Sequence, residues 1–304
     1  MSNHAPKMYI SQLGPFARTW RLFRRAWIAA FEDNCFGIAK GAAYSALLSF
    51  FPVVTTVTAL LIEANAEAVS RVITKLLFEV APPGTQDVLR IYLRTQGKRP
   101  GVLLGVATVL SIWGASGAMI SLMEGFQAAY SLPGGRHWIR ERAMAMLLVV
   151  SAVVPLVLGS AMVLFGSRSE TAIIQWLGLS ARDGAELAAW VIVLSRLLRS
   201  LVAFGCITLA AALLYYLGPN RRIRFSSVWP GAFVASLLGL ISTQLFGWYV
   251  RNLANYNLLY GSIAAVIALL VWMYVLAVVA LVGCEFNVAV ENEELVRRQA
   301  VSVD

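Results

Sequence analysis

Two glutamates at the ends of long apolar segments are the residues of this sequence best placed to carry chemistry. Glu124 lies near the end of one such segment, and Glu285 lies in the motif Gly-Cys-Glu-Phe-Asn at 283–287, at the end of another. Lys40 and Arg142 begin two further apolar segments, and we expect them at the same membrane level. A carboxylate that enters a medium of low dielectric constant needs a cationic partner, a bound cation or a proton.

These charged ends, together with Asn287, have two interpretations. In the first, acid–base pairs hold the ends of the helices together. In the second, the residues form a gate or an ion-coupled site at the inner mouth of a transport pathway. In both, we predict that Glu285 lies inside the protein and meets Lys40 or Arg142, because a charge cannot face lipid cheaply.

The elements that position these residues are predicted to be membrane-spanning helices. Of the 304 residues, 59% are hydrophobic and 13% are charged, whereas a globular domain has about half apolar and a quarter charged residues. About 20 helical residues cross a bilayer, and six apolar stretches reach that length: 41–62, 101–123, 143–167, 200–220, 225–250 and one within 252–284. We predict an all-α polytopic membrane protein, with a transmembrane domain at 41–285 and cytoplasmic terminal regions at 1–40 and 286–304.

Two segments outside the spans have helical patterns of their own. Before the first span, five aromatic residues recur at helical spacing opposite Arg18, Arg21 and Arg25, which predicts an amphipathic helix in the membrane interface; the aromatic residues are Phe16, Trp20, Phe23, Trp27 and Phe31. A helix packed on a partner protein is the alternative. Residues 63–100 predict two short helices in an outer loop.

Small residues at four-residue spacing mark the helix faces that we expect to pack. Without a hydrophobic effect between helices in lipid, small side chains favour association because the backbones approach closely. The fifth span has Gly231, Ala235, Gly239, Thr243 and Gly247, and the second has Gly117, Ser121 and Gly125 with Gly114 and Ala118 beside them. Helix contacts are the favoured interpretation, and a substrate groove is the alternative.

The first span combines hydroxyl side chains with a proline. Ser45 and Ser49 share one helical side, and Pro52 leaves the carbonyl of Leu48 without its usual helical donor. Broken helices often line transport sites, but many transmembrane prolines are simple kinks, so both interpretations stay open.

The net charge of +9 at pH 7 comes from basic residues between the apolar segments. There they set orientation and meet anionic headgroups, so we expect lipids rather than nucleic acid as partners. The connections on the side of the termini have a modest excess of Lys and Arg over those on the opposite side, which favours a cytoplasmic location for both termini. The three cysteines lack metal-binding spacing, and we expect no metal or other cofactor.

Two segments resemble motifs of a known family. The sequence Ala-Tyr-Ser-Ala-Leu-Leu-Ser-Phe-Phe-Pro at 43–52, which includes Tyr44, resembles the first-span motif of the YihY/BrkB family of bacterial inner-membrane proteins. Residues 260–274, running on to 283–287, resemble its last-span motif, with Cys284 where family members often have alanine. The resemblance implies six spans with both termini in the cytoplasm. Family members have been called virulence or serum-resistance factors, and some a tRNA-processing ribonuclease.

Three functions follow as hypotheses. The leading one is permease-like transport or lipid handling in the cell envelope, without nucleotide, and the alternative is a non-transporting scaffold or assembly factor that binds a second copy or an envelope protein. A membrane ribonuclease is disfavoured, since the only two histidines, His4 and His137, form no cluster with acidic residues, and we predict no enzymatic activity. A cavity that reaches Glu285 would favour transport, and a solid core would favour the scaffold.

The predicted orientation can be tested with a reporter that is active only in the periplasm. Fusion at residue 90 should give activity, because this position lies in the outer loop, whereas fusion at residue 138 or at the carboxyl terminus should give none. The reverse pattern of activity would show that the orientation is inverted.

Overall fold

The chain is helical throughout the part that the structure describes. A computed structural model describes residues 14–63, 101–132, 137–176, 185–252 and 263–301. These residues form seven α-helices and a short 3-10 turn at Phe225–Ser227: α1 (Pro15–Glu32), α2 (Cys35–Glu63), α3 (Gly101–Ala129), α4 (Trp138–Trp176), α5 (Ala185–Leu217), α6 (Trp229–Asn252) and α7 (Ile263–Val301). The outer loop predicted with two short helices lies outside the described residues.

Six stretches of the described chain are long and apolar enough to cross a membrane: Cys35–Val54, Thr108–Ala129, Trp138–Ser160, Val193–Leu217, Phe225–Val250 and Val266–Gln299. They lie in α2 to α7, and the fifth includes the 3-10 turn. The predicted all-α membrane fold with six spans is therefore confirmed. Large apolar side chains cover the outside of these helices, as in Leu158, Leu194 and Leu201, which suits contact with lipid.

A short segment of α7 is the centre of the bundle. Residues 281–287 are all buried, so this stretch is covered on every side rather than along one face. The helices that pack against α7 are α1, α2, α3 and α6. Leu281 and Val282 join the largest apolar cluster of the described residues, together with Phe126 of α3 and Tyr215 of α5.

The end of α7 differs from the predicted carboxyl-terminal tail. The helix continues to Val301 and packs against α1, where Arg18 Nε donates a hydrogen bond to Glu293 Oε1 at 2.8 Å. Arg297 reaches the same carboxylate oxygen at 3.0 Å. Residues 286–301 are thus helical, and Phe286 and Glu293 among them are buried against neighbouring helices, while the cytoplasmic location of this region stays a prediction.

The helix α1 buries its small residues and leaves much of its aromatic stripe exposed. Leu22, Ala26 and Ala30 are buried, and Leu22 and Ala26 pack in one cluster with Phe286 of α7. Trp20 and Phe31 are exposed, so aromatic side chains remain free to meet headgroups. The amphipathic helix is present as predicted, while its position in the membrane interface stays a prediction.

Small residues bring α2 and α3 into close contact, as predicted. A methyl group added to Gly114 would lie 2.7 Å from Ser49 Cβ, and one added to Gly117 would lie 3.4 Å from Ser45 Cβ. Gly125 packs against the Leu281 side chain of α7, since a Cβ added to Gly125 would collide with Leu281 Cδ2. Glycine at these positions therefore sets the separation of the helices.

The predicted ladder on α6 is tight only near the start of the helix. A Cβ added to Gly231 would collide with the carbonyl oxygen of Gly283 and lie 2.5 Å from Asn287 Cγ. Ala235 also packs on Gly283, because a Cβ added to Gly283 would lie 2.7 Å from the Ala235 methyl. At Gly239, an added Cβ would meet only Leu276 Cδ2, at 4.0 Å. The ladder thus holds α6 against α7 through Gly231 and Ala235.

Alanine substitutions along this ladder should separate tight from loose positions. Gly231→Ala should lower the free energy of unfolding by about 1–3 kcal/mol, because the methyl group must displace the α7 backbone. Gly239→Ala, the matched control, should change it by less than about 0.5 kcal/mol. Thermal unfolding in detergent measures both, and equal effects would contradict the close approach at Gly231.

Candidate functional site

A sharp turn between α1 and α2 positions two polar residues next to α7. Asn34 adopts a left-handed conformation with φ 53°, which asparagine tolerates better than most residues. Gly37 leaves room for the Asn34 side chain, since a methyl group there would lie 2.5 Å from Asn34 Oδ1. The turn directs Asp33 and Cys35 towards Glu285.

Glu285 lies inside the bundle, as predicted. The residue is 2% exposed, and the Cys35 thiol donates a hydrogen bond to its Oε1 atom at 3.5 Å. The carboxyl group of Asp33 is also a close enough neighbour to interact with the Glu285 side chain. Glu285 is therefore surrounded by a thiol and a second carboxyl group, both from the α1–α2 turn.

The predicted basic partner is wrong. Lys40 is exposed, and the Arg142 guanidinium carbon lies 3.9 Å from the centre of the Trp113 ring. Arg142 also donates a hydrogen bond to the Trp113 carbonyl oxygen at 3.3 Å. In the part of the chain that the structure describes, neither basic side chain pairs with Glu285.

Glu124 is also separate from the predicted cluster. Its side chain is exposed and its charged neighbour is Glu141 of α4. The next residue, Gly125, is the one that faces α7. Because each residue turns an α-helix by about 100°, Glu124 does not share the face of α3 on which Gly125 meets α7.

Asn287, which was predicted in one cluster with Glu285, is also buried, and it joins α7 to the start of α6. Its Oδ1 atom accepts a hydrogen bond from the Gly231 backbone N–H at 2.7 Å, and its Nδ2 atom donates to the Val228 carbonyl oxygen at 3.1 Å. The first N–H groups of a helix lack intrahelical partners. Asn287 satisfies one of them from a different helix, while it is itself only 2% exposed.

Tyr215 of α5 completes the polar contacts of this segment. Its hydroxyl donates a hydrogen bond to the Ala280 carbonyl oxygen at 2.7 Å, and its ring stands edge-on to Phe126 with centroids 5.4 Å apart. Sequence reasoning missed Tyr215, Asp33 and Cys35. Only the polar pair Asp33-Asn34 hinted at a turn, and nothing marked Tyr215 among other interfacial aromatics.

The first-span residues form a separate contact with α3. Ser49 is buried and donates a hydrogen bond to the Ala46 carbonyl oxygen at 2.9 Å, and Ser45 packs on Gly117. Tyr44 is exposed. Pro52 lies within the unbroken span of α2. Ser45 and Ser49 pack against α3, and none of the four residues joins the Glu285 neighbourhood.

The connection between α5 and α6 carries the largest group of exposed basic residues near this end of α7. Arg221 forms an ion pair with Glu291 of α7, and its guanidinium carbon lies 4.6 Å from the centre of the Tyr130 ring. Burial raises the pKa of Tyr130, so this phenol stays neutral. A cavity of about 610 Å³ is lined by Tyr216, Leu217 and residues 219–223; Glu285 is not part of its lining.

The three cysteines are free thiols. Within the described residues, no group of three or more His, Cys, Asp and Glu side chains is arranged to hold a metal ion.

The fold and its exposed apolar surface define an all-α polytopic membrane protein. The chain belongs to the BrkB family, since the family model described as virulence factor BrkB matches residues 26–303.

Similar proteins occur in several bacteria. A ribonuclease-like protein of Bacillus subtilis, YfkH, is 27% identical over 257 residues, which cover 83% of this chain and 89% of the relative. A UPF0761 membrane protein of Tolumonas auensis is 25% identical, covering 90% of this chain and 85% of its own length. The UPF0761 membrane protein PSHAa0171 of Pseudoalteromonas translucida is also 25% identical, over 97% and 95% of the two chains. No solved structure matches.

Removal of the Asn287 side chain should loosen α6 from α7. Asn287→Ala leaves the Gly231 N–H and the Val228 carbonyl group without this partner, which should lower the free energy of unfolding by about 2–4 kcal/mol. Asn292→Ala, an exposed position on the same helix, is the control and should cost less than about 0.5 kcal/mol. Urea unfolding in detergent measures both variants. Equal loss in both would show that the hydrogen bonds of Asn287 contribute little.

Proposed function

We propose that the protein is a permease-like transporter or lipid-handling protein of the bacterial inner membrane, in which Glu285 accepts a proton or a cation. The observation that carries this proposal is the surroundings of Glu285: the residue is 2% exposed, and its carboxyl group faces the Asp33 carboxyl group and the Cys35 thiol. A carboxylate in such a place needs a positive charge or a proton. Exchange of that proton or cation changes the charge at the centre of the bundle.

Other glutamates of the same helix show what a structural clamp looks like in this protein. Glu293 is bound by Arg18 and Arg297, and Glu291 is bound by Arg221. Both use arginine, the strongest partner for a carboxylate. Glu285 lies about two turns earlier in the helix and faces a carboxyl group and a thiol instead. These neighbours favour exchange of a proton or cation at Glu285 over a structural ion pair.

The position of Glu285 would let a change in its charge act on several helices. Asp33 and Cys35 belong to the α1–α2 turn, while Asn287, half a turn later on α7, holds the start of α6. A charge that repelled Asp33 would push the turn away from α7. Such a movement of packed elements around a fixed centre is the kind that alternating access requires.

A second candidate, a non-transporting scaffold or assembly factor of the envelope, is supported by the packing around Gly231. The α6 and α7 backbones approach so closely there that a methyl group does not fit. The cavity beside Arg222 does not include Glu285 in its lining. Under this candidate, Glu285 holds the α1–α2 turn in place and a second copy of the chain or an envelope protein is the partner.

We propose no enzymatic activity, and the ribonuclease-like name remains that of the Bacillus relative. The two histidines, His4 and His137, occur far apart in the sequence, and His137 is exposed at the start of α4. The proposal also keeps both termini in the cytoplasm, which places Glu285 near the cytoplasmic side.

An isosteric substitution of Glu285 distinguishes exchange of a proton or cation from a purely structural role of this side chain. Glu285→Gln keeps the shape and removes the titratable group, so the protein should remain folded and abundant but fail to restore the envelope lipid or solute profile of a deletion strain. Glu294→Gln, at an exposed position of α7, should restore it fully. Lipidomic and metabolite profiling at matched expression is the measurement.

Two results would count against the proposal. Full complementation by Glu285→Gln would assign the side chain to structure and favour the scaffold. An unchanged lipid and solute profile in the deletion strain itself would contradict transport and lipid handling together.

A further inference from the structure

Two arginines in the α5–α6 connection point away from the protein core on one side of the chain. Arg222 and Arg224 are exposed, and Ile223 between them is buried. Arg224 has extended backbone angles, φ −74° and ψ 132°, and in an extended chain alternate side chains point the same way. With Ile223 anchored in the core, both guanidinium groups are directed outwards.

These two arginines differ from Arg221, which the protein itself uses. Arg221 is held by Glu291 and by the Tyr130 ring. The side chains of Arg222 and Arg224 make no hydrogen bond, ion pair or ring contact with another residue of the described chain, and only the Arg224 backbone carbonyl accepts a hydrogen bond, from the Ser227 N–H at 2.9 Å. Their five N–H donors each suit a phosphate group, which a planar guanidinium binds through two parallel hydrogen bonds.

Three aromatic side chains form a continuous row beside the arginines. Tyr216 and Phe225 stand edge-on with centroids 5.4 Å apart, and Phe225 and Trp229 do so at 5.7 Å. The three residues are 38–40% exposed. They mark the end of the fourth span at Leu217 and the start of the fifth at Phe225, the level where aromatic rings meet the headgroup region.

The cavity at this level has mixed chemistry. It measures about 610 Å³ and is lined by Tyr216, Leu217 and residues 219–223, including Arg222. This volume falls in the range of small-molecule sites, about 300–1,000 Å³. Apolar and aromatic groups lie towards the spans, and the cationic groups lie in the connection, which matches a lipid with acyl chains and an anionic headgroup.

We infer that Arg222 and Arg224, with the row Tyr216, Phe225 and Trp229, form a binding site for one anionic phospholipid of the leaflet that this connection faces. The phosphodiester binds the two guanidinium groups and enters the cavity beside Arg222. The acyl chains lie along the aromatic row and the outside of α5 and α6. This inference does not depend on the proposed function, because a structural lipid would bind in the same way.

Native mass spectrometry of the full chain released from micelles tests the site. The probe is an equimolar mixture of phosphatidylglycerol and phosphatidylcholine. The unmodified protein should retain phosphatidylglycerol preferentially, and the double variant Arg222→Gln, Arg224→Gln should raise the apparent Kd for it by about tenfold to thirtyfold. The control, Arg140→Gln with Arg298→Gln, removes the same charge from two other exposed positions and should change the Kd by less than about twofold.

A second double variant keeps the charge but not the planar fork. Arg222→Lys with Arg224→Lys should bind with intermediate affinity, since lysine attracts a phosphate without bidentate hydrogen bonds. Comparison of unfolding temperatures shows whether each variant is folded, and the lysine variant provides the test if the glutamine variant is not.

Three outcomes would overturn the inference. The first is equal retention of the two lipids by the unmodified protein, and the second is an equal loss of affinity in the control variant. The third is complete displacement of phosphatidylglycerol by millimolar inorganic phosphate, which would show that the arginines serve a soluble anion rather than a lipid.

Discussion

The structure depends on a segment of α7 that is buried on every side and contains polar side chains, which form hydrogen bonds with neighbouring elements. Between Gly283 and Asn287 every residue of the helix is buried, so its polar groups need partners within the protein. Asn287 forms hydrogen bonds with the start of α6, and Glu285 accepts a hydrogen bond from the α1–α2 turn. Gly283 has no side chain, which lets the Gly231 backbone approach. The packing and hydrogen bonding of residues 283–287 therefore fix the positions of α6 and of the turn before α2.

The same segment separates structural from chemical roles among the acidic residues of α7. Glu291 and Glu293 are bound by arginines that come from a connection and from α1. Those ion pairs lie towards the end of the helix, where part of the charge reaches water. Glu285 is buried earlier in the helix and faces Asp33 and Cys35. A buried carboxyl group without a basic partner is costly to keep for stability alone, which is why the proposed function is placed there.

Aromatic and basic side chains of the described helices are exposed on two distinct surfaces. The α1 helix covers the end of α7 with small residues and leaves Trp20 and Phe31 exposed. The α5–α6 connection combines the aromatic row with Arg222 and Arg224. In both places the residues that meet the bundle are small or apolar, whereas aromatic and basic side chains are exposed, which is the pattern expected at a bilayer surface.

The sequence by itself determined the class of fold, the spans and the interior position of Glu285. Apolar stretches of sufficient length reveal spans because only a helix satisfies its backbone in lipid, and a glutamate at the end of such a stretch cannot face lipid cheaply. Small residues on α3 predicted a packing face, and the structure places Gly114 and Gly117 of that face against α2. The tertiary structure alone decided which groups meet. Sequence position gives the membrane level but not the neighbour across the bundle, so Glu124 points outwards while Gly125 faces α7. The partners of Glu285 come from a turn that depends on the left-handed Asn34, and the charged end of α7 becomes a packed helix because Arg18 and Arg221, remote in sequence, neutralise it.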